Sequence, residues 1–234
     1  VPLITLPQSA TSEDFNPTRS PQKAVYDQIV ADLVAAESAG LSWTDESGRV
    51  SQAAVKSLLA KVYLTMAGHP LNETARYADA ASKAKEVIDN AGPLDLFDTY
   101  AEVDREGWFY SSYYTNGSGD LFDLGAPYVF KHFNVIANGT FGVPGTAKDN
   151  LNMPIIRFAE VLLIYAEAAN EATGPNQDAV DALTRIRDRA ELTTPLLGAF
   201  TQASLREAVW KERWHELCYE QITWFDMVRL RKVL

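Results

Sequence analysis

The sequence predicts a mostly α-helical fold: tetratricopeptide-like helical hairpins, about six helices, with an irregular aromatic-rich segment that carries short strands. Three observations lead there. Apolar residues recur every three or four positions through both ends of the chain, the spacing of one helix face. Two helix pairs resemble each other. Between about 93 and 153 the helical period lapses and aromatic residues crowd together. The 234 residues are read as one domain. Segments 20–92 and 154–232 form a helical scaffold, and 93–153 is an irregular, ligand-facing segment.

Taken in order, Ser20-Pro21 offers an N-cap followed by proline at the first helical position. Val25, Ile29, Leu33 and Ala36 then give one face, and Gly40 can end the helix. Ser51 caps a second helix with Ala54, Val55, Leu58, Leu59, Val62, Tyr63 and Met66 inward; "GHP" at 68–70 stops it. A third runs from about 74 to 90, with Tyr77, Ala81, Ala84 and Ile88 on one side, and Gly92-Pro93 breaks it. Short strands are expected at 107–114 and 127–135, with "TNGSGD" (115–120) as the turn between them. A helix near 154–171 is apolar nearly all round, which predicts a buried element ending at Gly174-Pro175. Asn176 caps the next, with Val180, Leu183, Ile186 and Ala190 inward. Ser204 and Glu207 form an S-x-x-E capping box that opens the last helical stretch.

The repeat is visible when "VYLTMAG" (62–68) is set over "IYAEAAN" (164–170), and "DAASKAKEVI" (79–88) over "DAVDALTRIR" (178–187). Tyrosine meets tyrosine, and the Asp-Ala start recurs. Small residues stand where two helices must approach closely.

Composition removes several function classes. The net charge of −10 disfavours nucleic acid, whose phosphates need a basic face. The longest plain apolar run, "VLLIYA" (161–166), is too short to span a membrane. One cysteine closes no intrachain disulfide. The opening "VPLITLPQSA" has neither a charged start nor a long apolar run, so it is not read as a signal peptide. No phosphate-binding loop, dinucleotide fingerprint, nucleophile elbow or Cys-x-x-Cys pair occurs, so no cofactor is expected.

The stretch "ERWHELCYEQITWFDMVRLRK" (212–232) gathers a histidine, the cysteine, two tryptophans and many charges. "HELCY" lacks the second histidine of a zinc protease, so no metal is expected at His215. Cys218 is read as a buried, inert thiol rather than a nucleophile. Trp210, Arg213 or Trp214, Leu217, Gln221, Trp224 or Phe225, and Val228 recur every three or four positions, and the aromatics among them are expected to face a core. The i,i+3 pairs Arg157/Glu160, Arg213/Glu216 and Asp226/Arg229 are expected to be structural ion pairs, because an unpaired buried charge is costly. Arginines beside these carboxylates would keep them ionised, which argues against acid–base catalysis.

The binding candidates lie in the middle. Residues 97–133 hold eleven of the 25 aromatics. Flat rings on a turn-rich surface can stack on sugar rings while Asn and Asp bond hydroxyls. Trp108, Tyr110, Tyr113, Tyr114, Asn116 and Asp120 fit that description.

"GRVSQAAVKSLLAKVYLTMAG" (48–68), "PIIRFAEVLLIYAEAANEATG" (154–174), "AVDALTRIRDRAEL" (179–192) and "LREAVWKERWHELCYEQITWFDMVRLRK" (205–232) resemble the SusD/RagB family. The resemblance covers most of the chain, in order. It implies a non-enzymatic outer-membrane lipoprotein of the Bacteroidetes that captures oligosaccharides or other nutrients at the cell surface. It further implies a TonB-dependent transporter of the SusC type as partner, and a lipid anchor that this chain does not include. Arg157, Glu160, Glu212, Arg213 and Glu216 become scaffold residues. The family's N-terminal lipid-bearing cysteine, first helical repeat and C-terminal tail have no counterpart here, and the stretch between Tyr100 and Tyr128 is shorter than usual. Two other readings stand beside this one: a helical-repeat scaffold that binds a protein partner, and a glycoside hydrolase using Asp104 or Glu106.

Overall fold

The computed structural model describes residues 1–5, 16–45, 49–96, 155–218 and 220–232, together with the backbone of four short strands between 108 and 129. Seven α-helices occur among them: α1 Gln22–Glu37, α2 Gln52–Ala67, α3 Arg76–Asp89, α4 Phe158–Thr173, α5 Gln177–Arg189, α6 Gln202–Glu216 and α7 Thr223–Arg229. The strands are β1 Trp108–Phe109, β2 Tyr113–Thr115, β3 Leu121–Asp123 and β4 Tyr128–Val129.

Successive helices pack on one another: α1 on α2, α2 on α3, α3 on α4, α4 on α5 and α5 on α6, with α4 also touching α2 and α6. This is the stacking of helical hairpins that the internal repeat foretells. The aligned positions coincide in their role. Ala80 and Ala179, Ala84 and Leu183, and Val87 and Ile186 are all buried. Tyr63 and Tyr165 are likewise buried, and each ring lies under a cation from the following or preceding helix, Arg76 at 5.2 Å and Lys85 at 6.0 Å.

Helix α4 sits at the centre: every residue from Ala159 to Asn170 is buried, the apolar run 161–166 together with Glu160, Glu167 and Asn170. It ends at Gly174, whose φ of +84° suits glycine. Ser51 Oγ accepts the Ala54 N–H (3.3 Å) and Asn176 Oδ1 accepts the Ala179 N–H (2.9 Å), so both expected caps form.

Several local expectations are corrected. Ser20 does not cap α1; its hydroxyl accepts the Leu3 N–H (2.9 Å), and Pro21 takes the N-cap place with no side-chain bond. Leu58 is exposed, because α2 turns Ala53, Ser57, Ala60 and Leu64 inward beside Val55, Leu59, Val62, Tyr63 and Met66. Helix α6 starts earlier than expected. Its capping box is Thr201 with Ser204: the Thr201 hydroxyl accepts the Ser204 N–H (3.1 Å) and the Ser204 hydroxyl accepts the Thr201 N–H (2.9 Å). Glu207 instead holds Lys232 on the surface (2.8 Å).

The strands are shorter than expected and four in number among the described residues. β2 pairs antiparallel with β3, with Tyr114 opposite Phe122, and Thr115, read as the first residue of the turn at 115–120, is instead the last residue of β2. β1 pairs antiparallel with β4, with Trp108 opposite Val129.

Candidate functional site

Of the nominated binding residues, Trp108 lies in β1, and Tyr113 and Tyr114 lie in β2. Trp108 therefore belongs to one two-stranded sheet, β1 with β4, and Tyr113 and Tyr114 to a separate one, β2 with β3, whose strands fall between β1 and β4 in the sequence. Tyr110, Asn116 and Asp120 fall outside the described residues, as do the alternative catalytic carboxylates Asp104 and Glu106.

The charged cluster of the C-terminal helices is assembled by α4. Glu160 and Glu167 are two turns apart on that helix and so share a face. Arg213 on α6 makes a two-pronged contact with Asp226 on α7 (3.0 and 3.2 Å) and lies 3.7 Å from Glu160. Lys61 on α2 reaches Glu160 at 3.0 Å. Arg229 on α7 binds Asp226 (2.7 Å) and grips both oxygens of Glu167. Nearby, Glu216 receives Arg157 (3.1 Å) and Arg189 (2.6 Å), Arg157 also binds Glu220 (2.6 Å), and Arg187 binds Glu212 (2.8 Å).

Of the three i,i+3 pairs expected, Asp226/Arg229 forms, whereas Arg157/Glu160 and Arg213/Glu216 are replaced by contacts between helices. The reason is geometric. A side chain turned into a helix interface meets the neighbouring helix sooner than its own next turn.

These groups are struts. Burial alone would raise the Asp226 carboxyl, but the Arg213 and Arg229 guanidiniums outweigh it and hold Asp226 below the usual carboxylate range. Arg229 is correspondingly raised: Glu167 and Asp226 overcome the burial that would lower it. A carboxylate so held cannot supply a proton at neutral pH. Among the described residues no group of His, Cys, Asp or Glu could hold a metal ion. His69 takes a bond from Arg231 (3.1 Å), and the half-buried Cys218 donates its thiol to the His215 carbonyl (3.2 Å).

A surface cleft of about 590 Å³ opens between α3, α4 and the start of α5. Ala78, Ala81, Ala169 and Ala172 line it with methyl groups, and Tyr165 and Asp178 stand at its edge. The Tyr165 hydroxyl donates to Asp178 (3.4 Å). Burial, with Asp178 beside it, pushes this phenol up to about 12, so it remains a neutral donor. Asn176, Gln177 and Asp178 bond within their own turn or to neighbouring helices, so the cleft offers a packing surface more than a set of reaching polar groups.

One expectation about the 212–232 stretch is overturned. Trp214, Trp224 and Phe225 are 48%, 59% and 67% exposed, and Val228 is exposed as well. Leu205, Val209, Glu212, Arg213, Glu216 and Leu217 form the buried stripe of α6, and Asp226 and Arg229 that of α7. Periodicity locates both stripes but does not say which turns inward. The acidic pair Glu160/Glu167 on α4 decides it.

A model of the SusD family matches residues 41–233. SusD-like protein P2 of Formosa agariphila is 33% identical over 111 residues, 45% of this chain and 21% of that protein. A SusD superfamily protein from Parabacteroides distasonis superposes with a TM-score of 0.82 at 30% identity, covering 99% of this chain and 63% of its own. Surface glycan-binding protein A from Bacteroides thetaiotaomicron, solved in complex with laminarihexaose, superposes with a TM-score of 0.64 over 88% of this chain and 61% of its own. At 17% identity that last likeness concerns the fold alone. The chain thus spans less than two thirds of these structural neighbours, and its match to the curated relative covers about a fifth of that protein.

Proposed function

The chain belongs to the SusD family, and from that premise we propose that it binds oligosaccharides or polysaccharides at the cell surface for delivery to a TonB-dependent outer-membrane transporter. The observation that carries this reading is the family match across 41–233. The likeness in fold to a protein solved with laminarihexaose supports it. In this reading the helices supply a rigid frame, and Trp108, Tyr110, Tyr113 and Tyr114, with Asn116 and Asp120, form the sugar-facing surface. Binding is by stacking and hydrogen bonding, without turnover, cofactor or metal, and a lipid anchor in the full-length protein holds it at the outer membrane.

Calorimetry of the full-length protein against a glycan panel that includes laminarihexaose tests the proposal. Saturable binding that changes little with salt is expected, because neutral sugars release no counterions. Trp108→Ala or Tyr113→Ala should weaken binding by about 1–3 kcal/mol, the usual cost of removing an aromatic anchor. Binding to no member of a broad panel removes the glycan assignment and leaves the family membership intact. Co-purification with a SusC-type transporter tests the delivery step.

A protein-binding scaffold is the second reading, favoured by the exposed aromatic residues of α6 and α7. Hydrogen exchange with a bound partner separates the two: protection on the helices supports the scaffold, protection over 108–129 supports the glycan surface.

A further inference from the structure

The strands that carry Trp108, Tyr113 and Tyr114 belong to the stretch of chain between Leu96 and Ile155. On its two flanks, Leu94 and Leu96 and then Ile156 and Phe158 pack half-buried against the core. Apolar contact is non-directional, so it fixes where the flanks lie and leaves their direction open. Polar contacts supply the direction. Asp95 Oδ1 accepts the Leu96 N–H (2.8 Å) and, with the same atom, accepts from Arg185 Nη2 on α5 (2.8 Å). The Arg185 guanidinium also lies over the ring of Phe158, the first residue of α4 (5.2 Å). One side chain thus touches both flanks.

Its partners set Arg185 apart. Every other arginine of α5–α7, from Arg187 to Arg229, bonds a carboxylate on another helix. In the internal repeat the position aligned with Arg185 is Glu86, which pairs with Lys56 and Lys83 inside the helical frame. The second hairpin carries the opposite charge at that position and directs it to Asp95, outside the helices. We propose that Arg185 is a positioning residue for the binding segment: by joining Asp95 to Phe158 it sets the angle at which both flanks meet the frame, and so orients the strands that bear the rings. The proposal rests on the glycan reading above, which makes those rings the sugar-facing surface, but its first test needs no sugar.

That test is hydrogen exchange of the full-length protein. The backbone amides of β1–β4 should exchange about three- to tenfold faster in Arg185→Ala than in the parent, the scale of one exposed ion pair with a cation–ring contact, while the centre of α4 is unchanged. Arg185→Lys keeps a cation within reach of both partners and should restore most of the protection. Asp95→Ala should act like Arg185→Ala, and the double variant should add nothing to either, because the two residues form one contact. With laminarihexaose as the probe, Arg185→Ala should weaken binding by a similar factor, since fewer molecules present the competent arrangement. Unchanged strand exchange in Arg185→Ala, or faster exchange confined to α5, overturns the proposal. So do effects of the two variants that simply add, and so does unaltered laminarihexaose affinity in Arg185→Ala where the parent binds that sugar. A parent that binds no member of the glycan panel removes the glycan reading, and the exchange measurement still decides whether Arg185 holds the strands.

Discussion

Gly68 closes α2 where α7 passes over it. A Cβ at this position would stand 2.9 Å from the Arg229 Cβ and 3.0 Å from its carbonyl oxygen. The same carbonyl accepts the His69 N–H (2.9 Å), so the approach is held by backbone on both sides. Gly68→Ala should therefore push α7 outward and cost about 1–3 kcal/mol, the scale of forced overpacking, read as a lower urea midpoint at unchanged slope. Asp226 offers a second test. It joins Arg213 to Arg229, and Asp226→Asn should cost about 3–5 kcal/mol because it leaves buried guanidiniums short of a partner. Its native titration is depressed, so its contribution is complete above the ordinary value of 3.8 and is lost as pH falls through the lower native value. Unfolding measured on the acid side should show that loss in the parent and a shallower one in the variant. The composition of this cluster was readable as paired charge. The partner of each charge was not, because Arg157 and Glu216 are 59 residues apart and meet only through the packing of α4 against α6.

At the scale of elements, caps and breakers decided most boundaries. Ser51, Asn176 and Gly174 do in the structure what their residue types suggest, since a cap bonds within its own turn and needs no distant neighbour. The start of α6 lies ahead of the Ser204–Glu207 pattern because two capping patterns overlap, and the one nearer the preceding 3-10 turn, Leu197–Ala199, prevails. The two can be separated by substitution. Thr201→Ala should cost about 1 kcal/mol in thermal or chemical unfolding, the usual value of a lost cap. Glu207→Ala should change stability by less than about 0.5 kcal/mol, as an exposed ion pair contributes little.

Across the whole molecule, helices α2, α4, α6 and α7 are tied by buried ion pairs over a shared apolar core, whereas α1 contributes no buried residue. Among the described residues it is attached by half-buried Tyr26, Val30 and Leu33, by the Gln52 side chain on the Glu37 carbonyl (2.9 Å), by Glu37 held by Lys56 and Lys83, and by Lys23 on Glu73 (3.0 Å). Hydrogen exchange should find α1 opening well before α2 or α4, and Glu37→Gln should speed exchange in α1 while leaving α4 unchanged. The sequence by itself determined the helical class, the repeat, the buried character of α4 and the family, because these depend on periodicity, local turn chemistry and the order of segments along one chain. Only the tertiary structure decided that Arg213 and Arg229 turn inward while Trp214, Trp224 and Phe225 turn out. A helix with two stripes at the same spacing can bury either, and here the buried carboxylates of α4 make the charged stripe the one that fits.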